Sequence, residues 1–207
     1  MFKATTRWIL WATVSWAICA PTCGTSLEFE AEAKKLIEFL AVEAGDSFAD
    51  VGAGDGEWVV PFAKVVGEQG HIYATEIDED KVRRIERTAS DNDLENVTAI
   101  LGAQDSIELD SDCCDAILLR LVYHHFEDPK LMHAGLSSAL KQGGRLAIID
   151  FGPGNSFPLS NVPEFRHGHG VEARTVIDEM QASGFKLVEH RENWADHSDR
   201  YLLVFQK

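Results

Sequence analysis

Apolar residues recur along this chain in two alternating rhythms. Between Glu28 and Ala44, Phe29, Ala33, Leu36, Ile37 and Leu40 follow the i, i+3, i+4, i+7 spacing of an amphipathic helix, which ends at Gly45. From there strand-like and helix-like stretches take turns. The pattern predicts strands over Phe48 to Val51, His71 to Thr75, Val97 to Leu101, Ala116 to Leu121 and Arg145 to Asp150. Helices are predicted over Glu57 to Val66, Glu79 to Ser90 and Pro129 to Leu140. After Asp150 the rhythm stops for about 20 residues rich in Gly, Pro, Ser and Asn, and loops of that length are usually functional or mobile. A helix over Val171 to Ala182 and strands over Phe185 to His190 and Arg200 to Phe205 follow. No helix separates those last two strands, so they should pair antiparallel. The whole predicts an α/β fold: a doubly wound, mostly parallel, seven-stranded sheet with helices on both faces and an antiparallel terminal hairpin strand.

Composition narrows the partners. The chain has 207 residues, 45% hydrophobic and 26% charged, enough for one domain with a sizeable core. The formal charge is −15, and beyond Gly24 17 basic residues face 34 acidic ones. Nucleic acid is therefore not expected as a partner, since binding it needs a basic surface.

The first 24 residues differ from the rest and are expected to stand apart from a single domain over 25–207. Lys3 and Arg7 precede the 13-residue run WILWATVSWAICA, which spans ~20 Å as a helix against a hydrocarbon core of ~30 Å. A signal peptide fits that length better than a membrane span, with cleavage after Cys19 or Ala20, although neither is a clean A-x-A site. An uncleaved interfacial anchor is the other reading. The segment thus points to an exported, periplasmic or membrane-attached protein, with a cytoplasmic one as the alternative and membrane association through this segment alone. The four cysteines, Cys19, Cys23, Cys113 and Cys114, give no disulfide framework and no metal-ligand spacing.

Candidate chemistry starts at SFADVGAGDGEW, Ser47 to Trp58. An apolar strand runs into Asp50 and then into Gly52, Gly54 and Gly56, ahead of a helix. This is where open α/β sheets bind nucleotide-like ligands. A dinucleotide site wants G-x-G-x-x-G with pyrophosphate on the helix N-terminus. Here the spacing is G-x-G-x-G, and Asp50 would repel pyrophosphate but suit a cation. A purely structural tight turn is the plainer alternative. Glu76 lies 20 residues after Gly56, where an acid can bind a ribose diol or simply stand solvated at a strand end. Asp78 is placed to cap the helix that follows.

Five motifs in order, ADVGAGDG, GHIYATEID, NVTAILGAQD, DAILLRLVYHHFEDP and LKQGGRLAIIDF, make the chain from about Glu28 to Phe205 resemble the class I S-adenosylmethionine-dependent methyltransferases. Within them it is similar to the small-molecule branch of ubiquinone and menaquinone biosynthesis. The resemblance implies a Rossmann-like sheet with an antiparallel seventh strand inserted, and S-adenosyl-L-methionine as cofactor. It also implies that Asp50, Gly52, Gly54 and Gly56 border the methionine and ribose, that Glu76 takes the ribose hydroxyls, and that Asp105 lies near the adenine amino group. Two departures stand out: Ala103 and Gln104 separate Gly102 from Asp105, and Arg120 and Leu121 end the fourth strand where relatives often carry another polar residue.

Methyl transfer needs the acceptor aligned and its proton removed, and histidine is the usual base near neutral pH. His124 and His125 follow the fourth strand at the carboxyl edge of the sheet, so one of them is expected to face the acceptor, as base or as a packing and capping group. Tyr123 is a weaker candidate for the same wall. His167 and His169 sit in the long loop, which could act as a lid. No metal site is expected from these histidines. The expected function is methylation of an unidentified small-molecule acceptor. A binding or sensing protein that keeps the cofactor fold without catalysis is the alternative.

Overall fold

The structure is a computed structural model that describes residues 23–152 and 170–207. The N-terminal run up to Ala20 with its cleavage points, and the loop histidines His167 and His169, lie outside the described residues. Among the described residues no helix is long and apolar enough to cross a membrane.

Helix α1 (Cys23–Leu40) leads into strand β1 (Ser47–Val51). Its end falls earlier than the apolar spacing predicts. Ala41 turns left-handed at φ 54°, and the Val42 N–H reaches back to the Ile37 carbonyl at 3.1 Å, closing the helix before Gly45. Next come α2 (Val59–Val66), β2 (His71–Glu76), α3 (Glu79–Asp91), β3 (Val97–Leu101), β4 (Cys114–Arg120) and α4 (Pro129–Ala139). Strand β5 (Leu140–Phe151), helix α5 (Ala173–Ala182) and strands β6 (Lys186–Glu192) and β7 (Arg200–Gln206) complete the fold. Asp78 caps α3, its side chain accepting from the N–H groups of Asp80 and Lys81. Asp128 caps α4, with Pro129 in the first turn.

The seven strands lie in the order β3-β2-β1-β4-β5-β7-β6. Strands β1 to β5 pair in parallel, and β7 runs antiparallel between β5 and β6. The fold is thus the mostly parallel sheet with an antiparallel final strand that the alternation predicts. Within the sheet the largest boundary difference is at β5, which starts at Leu140, five residues before the expected Arg145. Gly143, at φ 84°, bends the strand, and a Cβ on Gly144 would meet the Asp115 carbonyl at 2.7 Å. The bend matches a register shift between Cys114 and Ala116 on β4.

Successive β4 residues feed the two cores in turn. Ala116 and Leu118 face the layer under α1 and α2, where Phe48 stacks on Phe62 at 3.7 Å, while Ile117 and Leu119 face the layer under α4 and α5. From β1 the chain winds outward to β3 and returns to place β4 on the other side of β1. The carboxyl ends of β1 and β4 therefore form the switch point at which open α/β sheets bind ligands.

Candidate active site

A cleft of about 740 Å³ opens at that switch point, walled by the ends of β1, β2 and β4 and by the turns after them. Its floor is the glycine turn. The N–H groups of Gly52 and Ala53 both donate to the Thr75 carbonyl at 2.9 Å, locking the turn to β2. The three glycines have positive φ but different surroundings. A Cβ on Gly52 would come within 2.5 Å of Val122 Cγ2, so this glycine lets β4 close on β1. At Gly54, φ 58°, nothing of the protein lies within 4 Å of such a Cβ, so that side of the turn is open. Gly56 packs against Ile85 of α3 and does not itself line the cleft.

Glu76, 7% exposed at the end of β2, is held almost entirely by main chain. Its Oε1 accepts from the N–H groups of Ile77 and Asp78 at 2.8 and 3.2 Å, and Oε2 accepts from Gly54 N–H at 2.9 Å. A carboxylate offers about four lone-pair sites, so roughly one remains on Oε2 for a hydroxyl donor. Lys81 Nζ, at 3.9 Å, adds its charge to the same oxygen.

Asp50 is 1% exposed, and its Oδ2 is a buried atom without a hydrogen-bond partner. Burial pushes its carboxyl up to about 7, the Arg120 charge pulls the other way, and Glu76 and Glu57 add to the rise. A buried carboxylate in this state calls for a cation or a hydrogen-bond donor. S-adenosylmethionine carries both, as a sulfonium and an ammonium, so the residues present fit that cofactor. Beside Asp50, the Arg120 guanidinium stands 5.3 Å over the Trp58 ring.

At the reacting end Leu121 adopts a left-handed φ of 59°, a conformation that costs a non-glycine residue about 1 kcal/mol or more and clusters at functional sites. The short turn Tyr123–His125 follows and separates the two histidines. His125 is half-buried and lines the cleft. His124 is 2% exposed and does not, because Asp150 at the end of β5 holds it from behind. One Asp150 oxygen bonds His124 Nδ1 at 2.7 Å and the Phe151 N–H, and the other accepts the His124 N–H at 3.0 Å. The rings of His124 and His125 are 4.1 Å apart. Tyr123 turns to the opposite layer, where its hydroxyl meets His133 Nε2 at 2.9 Å and Glu179 at 2.5 Å, so it does not form the expected wall.

Asp105, expected near the adenine, lies just outside the cleft lining. Ala103 and Ser106 bridge across a tight turn that leaves Asp105 exposed at its tip, while Gln104 and Ser106 line the cleft. Among the described residues no cluster of His, Cys, Asp and Glu could hold a metal ion. Sequence reasoning did not single out Asp150 or Trp58 as site residues. Their signals were an acid ending the apolar run LAIID and a large aromatic directly after the glycines.

Comparison with known proteins agrees with this geometry. A solved S-adenosylmethionine-dependent methyltransferase from Aquifex aeolicus superposes with a TM-score of 0.74 over 87% of this chain and 92% of its own, at 22% identity. A ubiquinone/menaquinone biosynthesis C-methyltransferase from Marinomonas sp. is 28% identical over 123 residues, 58% of this chain and 49% of the relative. An arsenite methyltransferase from Halobacterium salinarum is 26% identical over 156 residues, 73% of this chain and 40% of the relative. The chain thus spans about half the length or less of the curated relatives it matches. Residues 43–197 match a methyltransferase domain family over most of the chain, and the protein accordingly belongs to the class I S-adenosylmethionine-dependent methyltransferases.

Proposed function

We propose that the protein transfers a methyl group from S-adenosylmethionine to a small-molecule acceptor. The observation that carries this reading is the buried, unpartnered Oδ2 of Asp50 beside a glycine turn whose open side faces the cleft. Asp50 takes the cationic amino-acid end, Glu76 takes a ribose hydroxyl on Oε2, and Gln104 and Ser106 border the adenine in place of Asp105. When bound, the cofactor supplies an electrophilic methyl group on a sulfonium, which leaves as a neutral thioether. His125, on the cleft wall, receives the proton that the acceptor loses, a contribution of roughly 10²- to 10⁴-fold for a well-placed base. His124 is a positioning residue, fixed by Asp150 and packed against the His125 ring.

Calorimetric titration of the full chain with S-adenosylhomocysteine tests the reading. Binding that Glu76→Ala weakens is expected, and no heat at millimolar ligand overturns the cofactor assignment. With an acceptor in hand, His125→Gln should lower kcat with little change in KM, whereas an unchanged rate removes His125 from the chemistry.

A further inference from the structure

Two guanidiniums on one face of the sheet form no ion pair with a described residue. Arg120 ends β4, and Arg200 begins β7 opposite Phe151 of β5. Side chains two apart on a strand share a face. Leu118, Ile149 and Leu202 all belong to the core layer under α1, so Arg120, Phe151 and Arg200 lie on that same face at the carboxyl edge. The two arginines are two strands apart, about 10 Å across the sheet, within reach of each other's long side chains. Arg120 lines the cleft, and Arg200 stands beside it, 5.9 Å over the Phe151 ring.

Neither Nε finds a hydrogen-bond partner, although both atoms are buried, and no ion pair joins either guanidinium to a described residue. Asp199 acts on Arg200 through its charge without an ion pair to it. Burial pushes the Asp50 carboxyl up to about 7 against the pull of Arg120, and Glu32 of α1 accepts from Trp194 Nε1 at 2.7 Å. Burial, and after it the Arg120 charge, push the Arg200 guanidinium below its ordinary value, while Asp199 and Glu32 oppose the shift. Two adjacent cations beside half-satisfied acids favour an anion. Apolar surface lies against both: Trp58 under Arg120, Phe151 under Arg200, and Leu121 on the cleft wall, although acids such as Glu57 and Glu127 line other parts of the cleft.

We propose that Arg120 and Arg200 bind the carboxylate of the methyl acceptor, which is a small molecule with an apolar body and one acidic group. The assignment rests on the methyl-transfer reading of the cleft. It adds specificity, since a neutral acceptor of the same shape would leave both guanidiniums unpaired.

The test uses the full chain saturated with S-adenosylhomocysteine, with benzoate and its neutral isostere benzamide as probes and tryptophan emission as readout. Benzoate is expected to bind at least about tenfold more tightly than benzamide, a difference of about 1.4 kcal/mol. Arg120→Met and Arg200→Met should each erase most of that preference without changing benzamide affinity, and the lysine variants should restore part of it. Equal affinity for the two probes, or no benzoate response at tens of millimolar, overturns the proposal on the unaltered protein, whatever the variants do. It is also overturned if Arg120→Met weakens S-adenosylhomocysteine about tenfold but not 5′-methylthioadenosine, which lacks the amino acid, because the guanidinium then serves the cofactor's own carboxylate. If S-adenosylhomocysteine does not bind at all, the methyl-transfer reading fails separately, and the benzoate titration of the free protein still decides on the arginines.

Discussion

The two halves of the cleft are built by different means. On the β1 and β2 side the groups that line the cleft are set by main chain: Glu76 is held by three backbone N–H groups, and the glycine turn is locked to Thr75. On the β4, β5 and β7 side they are set by side chains that meet only through sheet register. His124 depends on Asp150, 26 residues away, and Arg120 faces Arg200 across β5. A main-chain site needs the right short sequence, whereas a register-built site needs the whole sheet. The first half is suited to a constant cofactor, the second to an acceptor that can change while the sheet stays the same.

The largest expected effect lies on the main-chain side, at its buried acid with an unpartnered oxygen. Asp50 has a folded-state value of about 7 against 3.8 for the free group, so its neutral form is favoured in the folded protein. The stability this confers is fully present below pH 3.8, where both states hold the proton, and is lost as pH rises towards 7 and the unfolded chain ionises first. The loss over that window is roughly 4 kcal/mol. Asp50→Asn removes it, so in urea unfolding the variant should gain on the parent from pH 5 to pH 8. A gap that does not change with pH would contradict the buried, unpaired state of Asp50. The same variant should bind S-adenosylmethionine more weakly.

The next test separates the glycines. Gly52→Ala combines a positive φ with a contact of 2.5 Å to Val122 and should cost about 3 kcal/mol of stability. Gly54→Ala has room within the protein and should cost only about 1 kcal/mol. Its added methyl projects to the open side of the turn, so it should still weaken S-adenosylhomocysteine binding. If Gly54→Ala binds like the parent, the ligand does not approach that side. On the register-built side, Asp150→Ala leaves three N–H groups around His124 and Phe151 without their acceptor and should cost about 2 to 3 kcal/mol in chemical denaturation. His125→Gln, at the neighbouring position, should stay within about 0.5 kcal/mol of the parent.

The same division explains what could be read from the sequence. Strand β3 was expected and found at Val97 to Leu101, and the capping role of Asp78 was legible from its place before a helix. Each of these is decided within a few residues. The end of α1 at Ala41 and the early start of β5 were not legible. Ala is an uncommon residue for a left-handed helix stop, and the Gly143-Gly144 bend answers a register shift on another strand. The order of roles within Tyr123-His124-His125 was equally hidden. Three adjacent ring side chains leave the turn in three directions, and what selects them is Asp150, Glu179 and the cleft, all distant in sequence. Asp105 shows the limit from the other side, because the resemblance singles out the acid but not the tight Ala103 to Ser106 turn that carries it outward.

The test that best resolves the cofactor half itself is read in binding and not in stability. Glu76→Gln keeps the shape of the side chain but replaces one acceptor oxygen by an NH₂ group, which must face either the Ile77 and Asp78 N–H groups or the Gly54 N–H. The oxygen should stay where two donors converge, at Ile77 and Asp78, so the amide nitrogen turns towards Gly54 and the ribose position. Loss of the acceptor there should weaken S-adenosylhomocysteine by about tenfold, near 1.4 kcal/mol. Calorimetry should find the same loss for 5′-methylthioadenosine, which retains the ribose. Asp50→Asn, in contrast, should weaken S-adenosylhomocysteine while sparing 5′-methylthioadenosine, because only the former carries the ammonium. A Glu76→Gln loss confined to S-adenosylhomocysteine would move Glu76 from the ribose to the amino-acid end and merge the two roles that the backbone geometry keeps apart.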